Sequence, residues 1–263
     1  KLRASYGQVG NDVYTVGGVA QRFLYEEKWS QISNDYMFGT SGKSGIYETQ
    51  YPNYGVTWER AHKYNVGLEF GLWNGLLNGN IDLFHEKRND ILTNYLTRPE
   101  WVGVTMAAGN LGETVNSGFE IELKHNNHIG KEFQYNVGLT FSHAKNEIKN
   151  MDEPALKTDY RKREGHPIGQ YYGLVCDGFV TAADVADPNF PTSTFGNVQV
   201  GDLKYRDMNN DGFIDERDET FIGYSDVPEN TYALTLGCNY KGIGFSVMFQ
   251  GVDHVSRYYD AEA

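Results

Sequence analysis

The feature that most constrains this chain is period-two alternation over stretches of ten to fourteen residues. From His62 to Leu72 one side carries Tyr64, Val66, Leu68, Phe70 and Leu72; the other carries Lys63, Asn65, Gly67, Glu69 and Gly71. A strand turns successive side chains to opposite faces, so this pattern predicts a strand with one apolar and one polar face. Asn74-Gly75 follows as a turn, because both residues tolerate positive φ. Leu77–Arg88 continues in poorer phase: Gly79, Ile81 and Leu83 oppose Asn80, Asp82 and Phe84.

The same reading recurs downstream. Asn116–Asn126 sets Phe119, Ile121 and Leu123 against Glu120, Glu122 and Lys124. Glu132–Lys145 sets Phe133, Tyr135, Val137, Leu139 and Phe141 against Gln134, Asn136, Gly138, Thr140 and Ser142. Thr231–Lys241 and Ile243–Val252 behave alike, and with Leu2–Val9 they make seven strands. Thirty Gly, 19 Tyr and 14 Phe against seven Pro fit an all-β chain of small helical content.

Connection lengths choose the architecture. The joins at 73–76, 127–131 and 242 are short, those at 10–61, 89–115 and 146–230 are long, and the two kinds alternate strictly. Sandwich strands average about 5–6 residues, whereas tilted membrane-crossing strands need about 9–11. Long strands with short turns on one side and long loops on the other predict an antiparallel transmembrane β-barrel sector. Trp73, Phe133, Tyr135, Tyr240 and Phe245 fall beside the short turns, where an interfacial aromatic girdle would lie. The alternative is a secreted, calcium-binding β-sandwich for adhesion or carbohydrate binding; a simple diffusion porin is a third reading.

Several segments carry a family resemblance. They are Leu2-Arg3-Ala4-Ser5-Tyr6-Gly7-Gln8-Val9-Gly10-Asn11, Thr57-Trp58-Glu59, Asn110-Leu111-Gly112 and Asn116-Ser117-Gly118-Phe119-Glu120. Glu164-Gly165-His166-Pro167-Ile168-Gly169 and Gly201-Asp202-Leu203-Lys204-Tyr205-Arg206-Asp207, running through Asn209-Asn210-Asp211-Gly212 to Ile222-Gly223, complete the set. In order and spacing they resemble the C-terminal barrel region of SusC/RagA-type TonB-dependent outer-membrane transporters. The resemblance implies a ~22-stranded barrel plugged by an N-terminal domain. It also implies TonB-driven import of oligosaccharides or peptides, a SusD-like surface lipoprotein as lid, and a place in the outer membrane of a Gram-negative bacterium. Residues 1–263 would then be one part of a single barrel domain, with the plug, the TonB-contacting segment and the other strands outside them. The opening Lys1-Leu2-Arg3-Ala4-Ser5-Tyr6, already strand-like and without a starting Met, fits that expectation.

Residues 146–230 form the longest loop and hold an Asp-rich segment. Between Asp207 and Asp218 the sequence follows the twelve-residue calcium loop: Asp207, Asn209 and Asp211 at positions 1, 3 and 5, then Gly212 at the sharp turn. Phe213 would offer its carbonyl, Asp215 would act through water, and Asp218 replaces the usual bidentate Glu. The predicted cofactor is therefore a structural Ca2+; the competing reading is a solvated Asx-rich turn. Loop aromatics able to stack on a sugar face are Tyr54, Trp58, Trp101, Tyr171 and Tyr172, with Tyr47 and Tyr51 beside them.

Other chemistries find little support. A net charge of −12 argues against nucleic acid as partner. Glu120 with Glu122, and Asp152 with Glu153, are the nearest approach to a hydrolytic pair, and nothing sets either pair across a cleft. No enzyme is expected. The seven His have no zinc spacing. Cys176 and Cys238 are read as two thiols whose pairing stays open.

Overall fold

The computed structural model describes residues 1–97, 103–155 and 158–259. Its frame is one antiparallel sheet of seven strands: β1 (Leu2–Asn11), β2 (Glu59–Leu72), β3 (Leu77–Thr93), β4 (Gly109–Ile129), β5 (Phe133–Asn150), β6 (Asn230–Tyr240) and β7 (Ile243–Asp253). The spatial order follows the chain order, so every strand pairs with its sequence neighbour. This is the up-and-down meander that a barrel wall requires. All seven expected strands are present, and β2 to β5 run further toward the long connections than alternation indicated. At 21 residues β4 spans about 70 Å, well beyond the ~30 Å hydrocarbon core of a bilayer.

Register makes the alternation collective. Leu2, Leu68, Ile81, Ile121, Phe141 and Tyr232 stand in one cross-strand row. Phe70, Leu123, Leu139, Leu234 and Phe249 stand in another, with Gly79 between the first two. Paired residues share a face, so the apolar sets of the separate strands merge into one surface. No second sheet packs on it among the described residues, and Leu68, Leu83, Leu139, Leu236 and Phe249 are all exposed. A sandwich buries such a face against a second sheet. Phe133, Tyr135, Tyr240 and Phe245 edge the apolar surface beside the short turns. Tyr6 packs on Tyr64 with ring centroids 5.0 Å apart toward the opposite end.

The turn after β2 forms as expected, with Trp73, Asn74 and Gly75 all at positive φ. Phe84, out of phase in the sequence, lies on the polar face, and its ring fills the space left by the absent side chain of Gly118.

The long connections are not plain loops. Lys28–Phe38 and Ser41–Tyr51 pair as an antiparallel hairpin, extended by Thr105–Met106. Beneath it, Leu24, Ala107 and Ala108 form a small buried cluster with Tyr14, Val56 and Leu92 packed around it. The third connection, 151–229 once β5 is taken to Asn150, folds on itself. Tyr171–Gly173 pairs with Thr220–Ile222, Cys176–Phe179 with Leu203–Tyr205, and Thr192–Ser193 with Phe213–Ile214. Its short helix Ala182–Ala186 starts in a capping box between Thr181 and Asp184. Both cysteines are free thiols.

Candidate functional site

The polar face of the sheet carries two different surfaces. Across β1 to β4 it is ionic. Arg3 stands opposite Gly67, and with no side chain in the way its guanidinium crosses β2 to reach β3. There Nη2 donates to Asp82 Oδ2 at 2.5 Å and to Asn80 Oδ1 at 2.9 Å, while Asn80 Nδ2 donates to the same Asp82 oxygen at 2.9 Å. Asp82 is 8% exposed, so it needs these donors. Further up, Lys63 meets Glu86 at 3.0 Å, and Arg88 bridges Glu86 at 2.6 Å and Glu59 at 2.8 Å. Glu122 pairs with Lys124 on its own strand and is no partner for Glu120.

Across β5 to β7 the same face holds no charge. Gln134, Asn136, Gly138, Thr140, Ser142 and Ala144 project from β5; Thr231, Ala233, Thr235, Gly237 and Asn239 from β6; Gly244, Ser246, Met248, Gln250 and Val252 from β7. Toward the short turns this surface sinks into a groove of about 600 Å³ lined by Asn126, Gln134, Asn136, Asn239 and Ser246. Within it the Asn136 amide lies over Gly237, and the Asn239 amide lies near Gly244. The polar sets of single strands contained these residues, but only the pairing shows that they adjoin.

The Asp-rich segment is a compact turn built on its own carboxylates. Asp207 Oδ1 accepts the N–H of Asn210 at 2.6 Å and its Oδ2 that of Gly212 at 2.8 Å. Asn209 Oδ1 accepts from Asp211 N at 2.9 Å, and Asp211 Oδ1 from Phe213 N at 3.0 Å. Asp218 is fully buried, accepting from Met208 N and Asp215 N, both at 2.9 Å. Arg217 reaches Asp211 at 2.9 Å and Asp215 at 2.7 Å. Its hydrogen bonds hold the Asp215 carboxyl below the ordinary range. Among the described residues no group of three or more His, Cys, Asp or Glu converges on a common centre. Nearby, Lys204 and then Thr181 hydrogen-bond Asp184 and lower its pKa to about 2.

The aromatic candidates divide. Tyr171 and Tyr172 serve the loop itself: Tyr171 Oη accepts from Tyr258 N at 3.0 Å, and Tyr172 stands edge-on to Phe221 while accepting from Arg161 at 3.1 Å. Tyr54 and Trp58 keep open rings; the Tyr54 hydroxyl donates to Glu27 at 2.8 Å, and Trp58 lies over Gly10 at the edge of a cleft of about 610 Å³. Trp101 lies outside the described residues. Asp152 and Glu153 act as anchors rather than as a catalytic pair. Asp152 accepts the N–H groups of Leu96 and Thr97, and Glu153 those of Arg163 and Glu164.

Known proteins are similar to this chain in sequence and in fold. The chain is 27% identical over 266 residues to TonB-dependent receptor P3 of Formosa agariphila, covering 95% of itself and 25% of that protein. To TonB-dependent receptor SusC of Bacteroides thetaiotaomicron it is 26% identical over 275 residues, covering 99% of itself and 25% of the relative. It therefore spans about a quarter of the length of these relatives. The RagAB peptide importer in its 'open-open' state superposes with a TM-score of 0.63 at 21% identity, over 97% of this chain and 26% of that one. A family model for the TonB dependent receptor-like β-barrel matches residues 1–263, so the chain belongs to this family of outer-membrane β-barrels.

Proposed function

We propose that this chain forms one sector of the wall of a TonB-driven importer of large nutrients, oligosaccharides or peptides, working with a SusD-like surface lipoprotein. The observation that carries the reading is the two-faced sheet: a largely apolar surface outward, interrupted by His125 between Leu77 and Val137, and a polar surface inward, with the long connections gathered at one end. That end would face the exterior, where loops recognise ligand and meet a lid. The similar proteins include a TonB-dependent receptor named SusC and a solved importer of peptides, and the latter supports the peptide class.

The test uses the native, full-length protein. It should appear in the detergent-extracted outer membrane as a chain on the order of 100 kDa, the size of a ~22-stranded plugged barrel. Uptake of labelled oligosaccharides or peptides should stop when the protein is deleted and when an uncoupler collapses the proton-motive force. A soluble chain, or uptake indifferent to the uncoupler, would overturn the reading; indifference would favour the passive porin.

The Asp207–Asp218 turn enters this proposal as a structural Ca2+ site. Each carboxylate oxygen that accepts one N–H keeps a second lone pair for a cation. Occupancy would draw Asp207, Asn209, Asp211, Asp215 and Asp218 inward, together with the Phe213 carbonyl. The loop should then resist protease in calcium and yield in chelator. Equal cleavage in both would leave it an Asx-rich turn.

A further inference from the structure

We propose that the outward face of β1 to β5, just above its apolar band, docks a phosphorylated glycolipid of the outer leaflet. The inference goes beyond the importer reading and holds whatever nutrient is carried. It rests on the outer-membrane barrel, whose long loops lie on the outside.

Height comes first. On β5 the outward side reads Phe133, Tyr135, Val137, Leu139, Phe141 and His143. At ~3.4 Å per residue and a tilt of ~45°, this run climbs about 24 Å, matching the ~25 Å apolar band of such barrels. The chemistry changes at its upper edge. The next cross-strand row is Tyr6, Tyr64, His85, Ser117 and Lys145, and above it stand Gln8, His62, Lys87, Val115 and Glu147. These two rows fall at headgroup depth on the loop side of the bilayer. At the opposite edge the rows through Tyr135 and Phe133 hold no charged residue.

Charge comes next. The upper belt holds Arg60, Lys87, Lys145 and Lys149, in a chain whose net charge is −12. Three of these cations are matched: Arg60 by Asp90 at 2.5 Å, Lys87 by Glu113 at 2.9 Å and Lys149 by Glu147 at 2.5 Å. Lys145 is exposed and has no ion pair among the described residues. Two imidazoles share its belt. His85 Nδ1 lies 2.8 Å from Ser117 Oγ, and His62 Nδ1 lies 3.0 Å from the Tyr6 hydroxyl. With each hydroxyl donating, each ring carries its hydrogen on Nε2, which has no partner among the described residues. One free ammonium and two free N–H groups suit the several acceptor oxygens of a phosphate.

The apolar rows below supply the other half of the ligand. Phe119 packs on Phe141 with ring centroids 5.7 Å apart, an aromatic wall for acyl chains directly beneath the Lys145 row. Inorganic phosphate lacks those chains. A zwitterionic phospholipid brings its own cation to Lys145, whereas a phosphate carried on a sugar brings negative charge alone.

The experiment uses the full-length transporter purified in neutral detergent. Fluorescent diphosphoryl lipid A is the probe; dephosphorylated lipid A, phosphatidylethanolamine and inorganic phosphate are the competitors. The probe should bind at least about tenfold tighter than the dephosphorylated form. Lys145→Gln should weaken it about fivefold, as expected for one lysine at an anionic surface, and Lys145→Arg should preserve it. His62→Gln with His85→Gln should weaken it about threefold. Lys241→Gln, at the short-turn edge, should change nothing. Heat-modifiable migration of each variant shows that its barrel has folded. Equal binding of the phosphorylated and dephosphorylated forms would overturn the inference. So would an unchanged affinity in folded Lys145→Gln, or displacement of the probe by phosphatidylethanolamine or inorganic phosphate at equal concentration. Each of these results would leave the importer reading, which uptake tests, where it stands.

Discussion

The inner faces of β1–β4 and of β5–β7 belong to one sheet, yet they are built on opposite principles. In the first, long side chains reach across strands: Arg3 passes over Gly67 to Asp82, and Arg88 ties Glu59 to Glu86. In the second, the side chains are short and uncharged, and the longest reach recorded is that of the Asn136 amide over Gly237 of the next strand. The ionic half gains little stability per pair, since half-exposed ion pairs contribute about 0–1 kcal/mol each. What it gains is register, because a slip by one residue would turn Asp82 toward the apolar side and strand Arg3. The neutral half takes its register from the apolar rows behind it and from the tight turn at Lys241-Gly242.

The largest effects should come from confusing the two faces. Val137→Arg places a charge on the outward side of β5 and should cost about 2–4 kcal/mol near the bilayer midplane. Its neighbour Asn136→Arg, facing in, should cost far less, and Leu68→Arg against Asn65→Arg repeats the contrast in β2. Folding titrations in lipid vesicles measure both pairs; equal costs would break the facing assignment.

Next come changes within the inner face. Asp82→Leu removes a nearly buried carboxylate and leaves Arg3 and Asn80 without their acceptor, a loss of about 1–3 kcal/mol. Gly67→Leu should act alike by blocking the route of Arg3. Thr140→Leu in the neutral half breaks no such network and should stay within about 0.5 kcal/mol. If Thr140→Leu proved as costly as Asp82→Leu, the contrast between a tied and an untied half would be lost.

A smaller effect concerns the folded connection 151–229. The pKa of Asp184 falls from the ordinary 3.8 to about 2 in the native state through Lys204 and Thr181. The native state therefore holds the proton less tightly than the unfolded chain. The stabilisation is present above about pH 4 and is lost as pH falls toward 2. Lys204→Met should flatten this acid dependence, seen as the pH at which the loop becomes protease-sensitive, while the barrel strands stay protected.

Much of this was legible in the residues, and the failures have physical causes. The seven strands declare themselves because each places one face in an apolar medium, which forces period two. The hairpin Lys28–Phe38 with Ser41–Tyr51 went unread because a strand such as Ser41-Gly42-Lys43-Ser44-Gly45 buries neither face and shows no period. Strands of two to four residues around the Asp-rich turn, such as Phe213–Ile214, are too short to display one. The spacing of Asp207 to Asp218 was visible, but not that Asp218 would be buried and receive two backbone N–H groups.

The sequence by itself determined the seven strands of the main sheet, the meander of short and long connections between them and which side of each of these strands is apolar, because those properties are local and repeat every second residue. Only the tertiary structure decided which polar residues face one another. Arg3 and Asp82 stand 79 positions apart, and Asn136 and Asn239 are brought near by the β5–β6 pairing. Register across a sheet is a long-range quantity, fixed when whole rows of side chains lock together, and no single strand contains it.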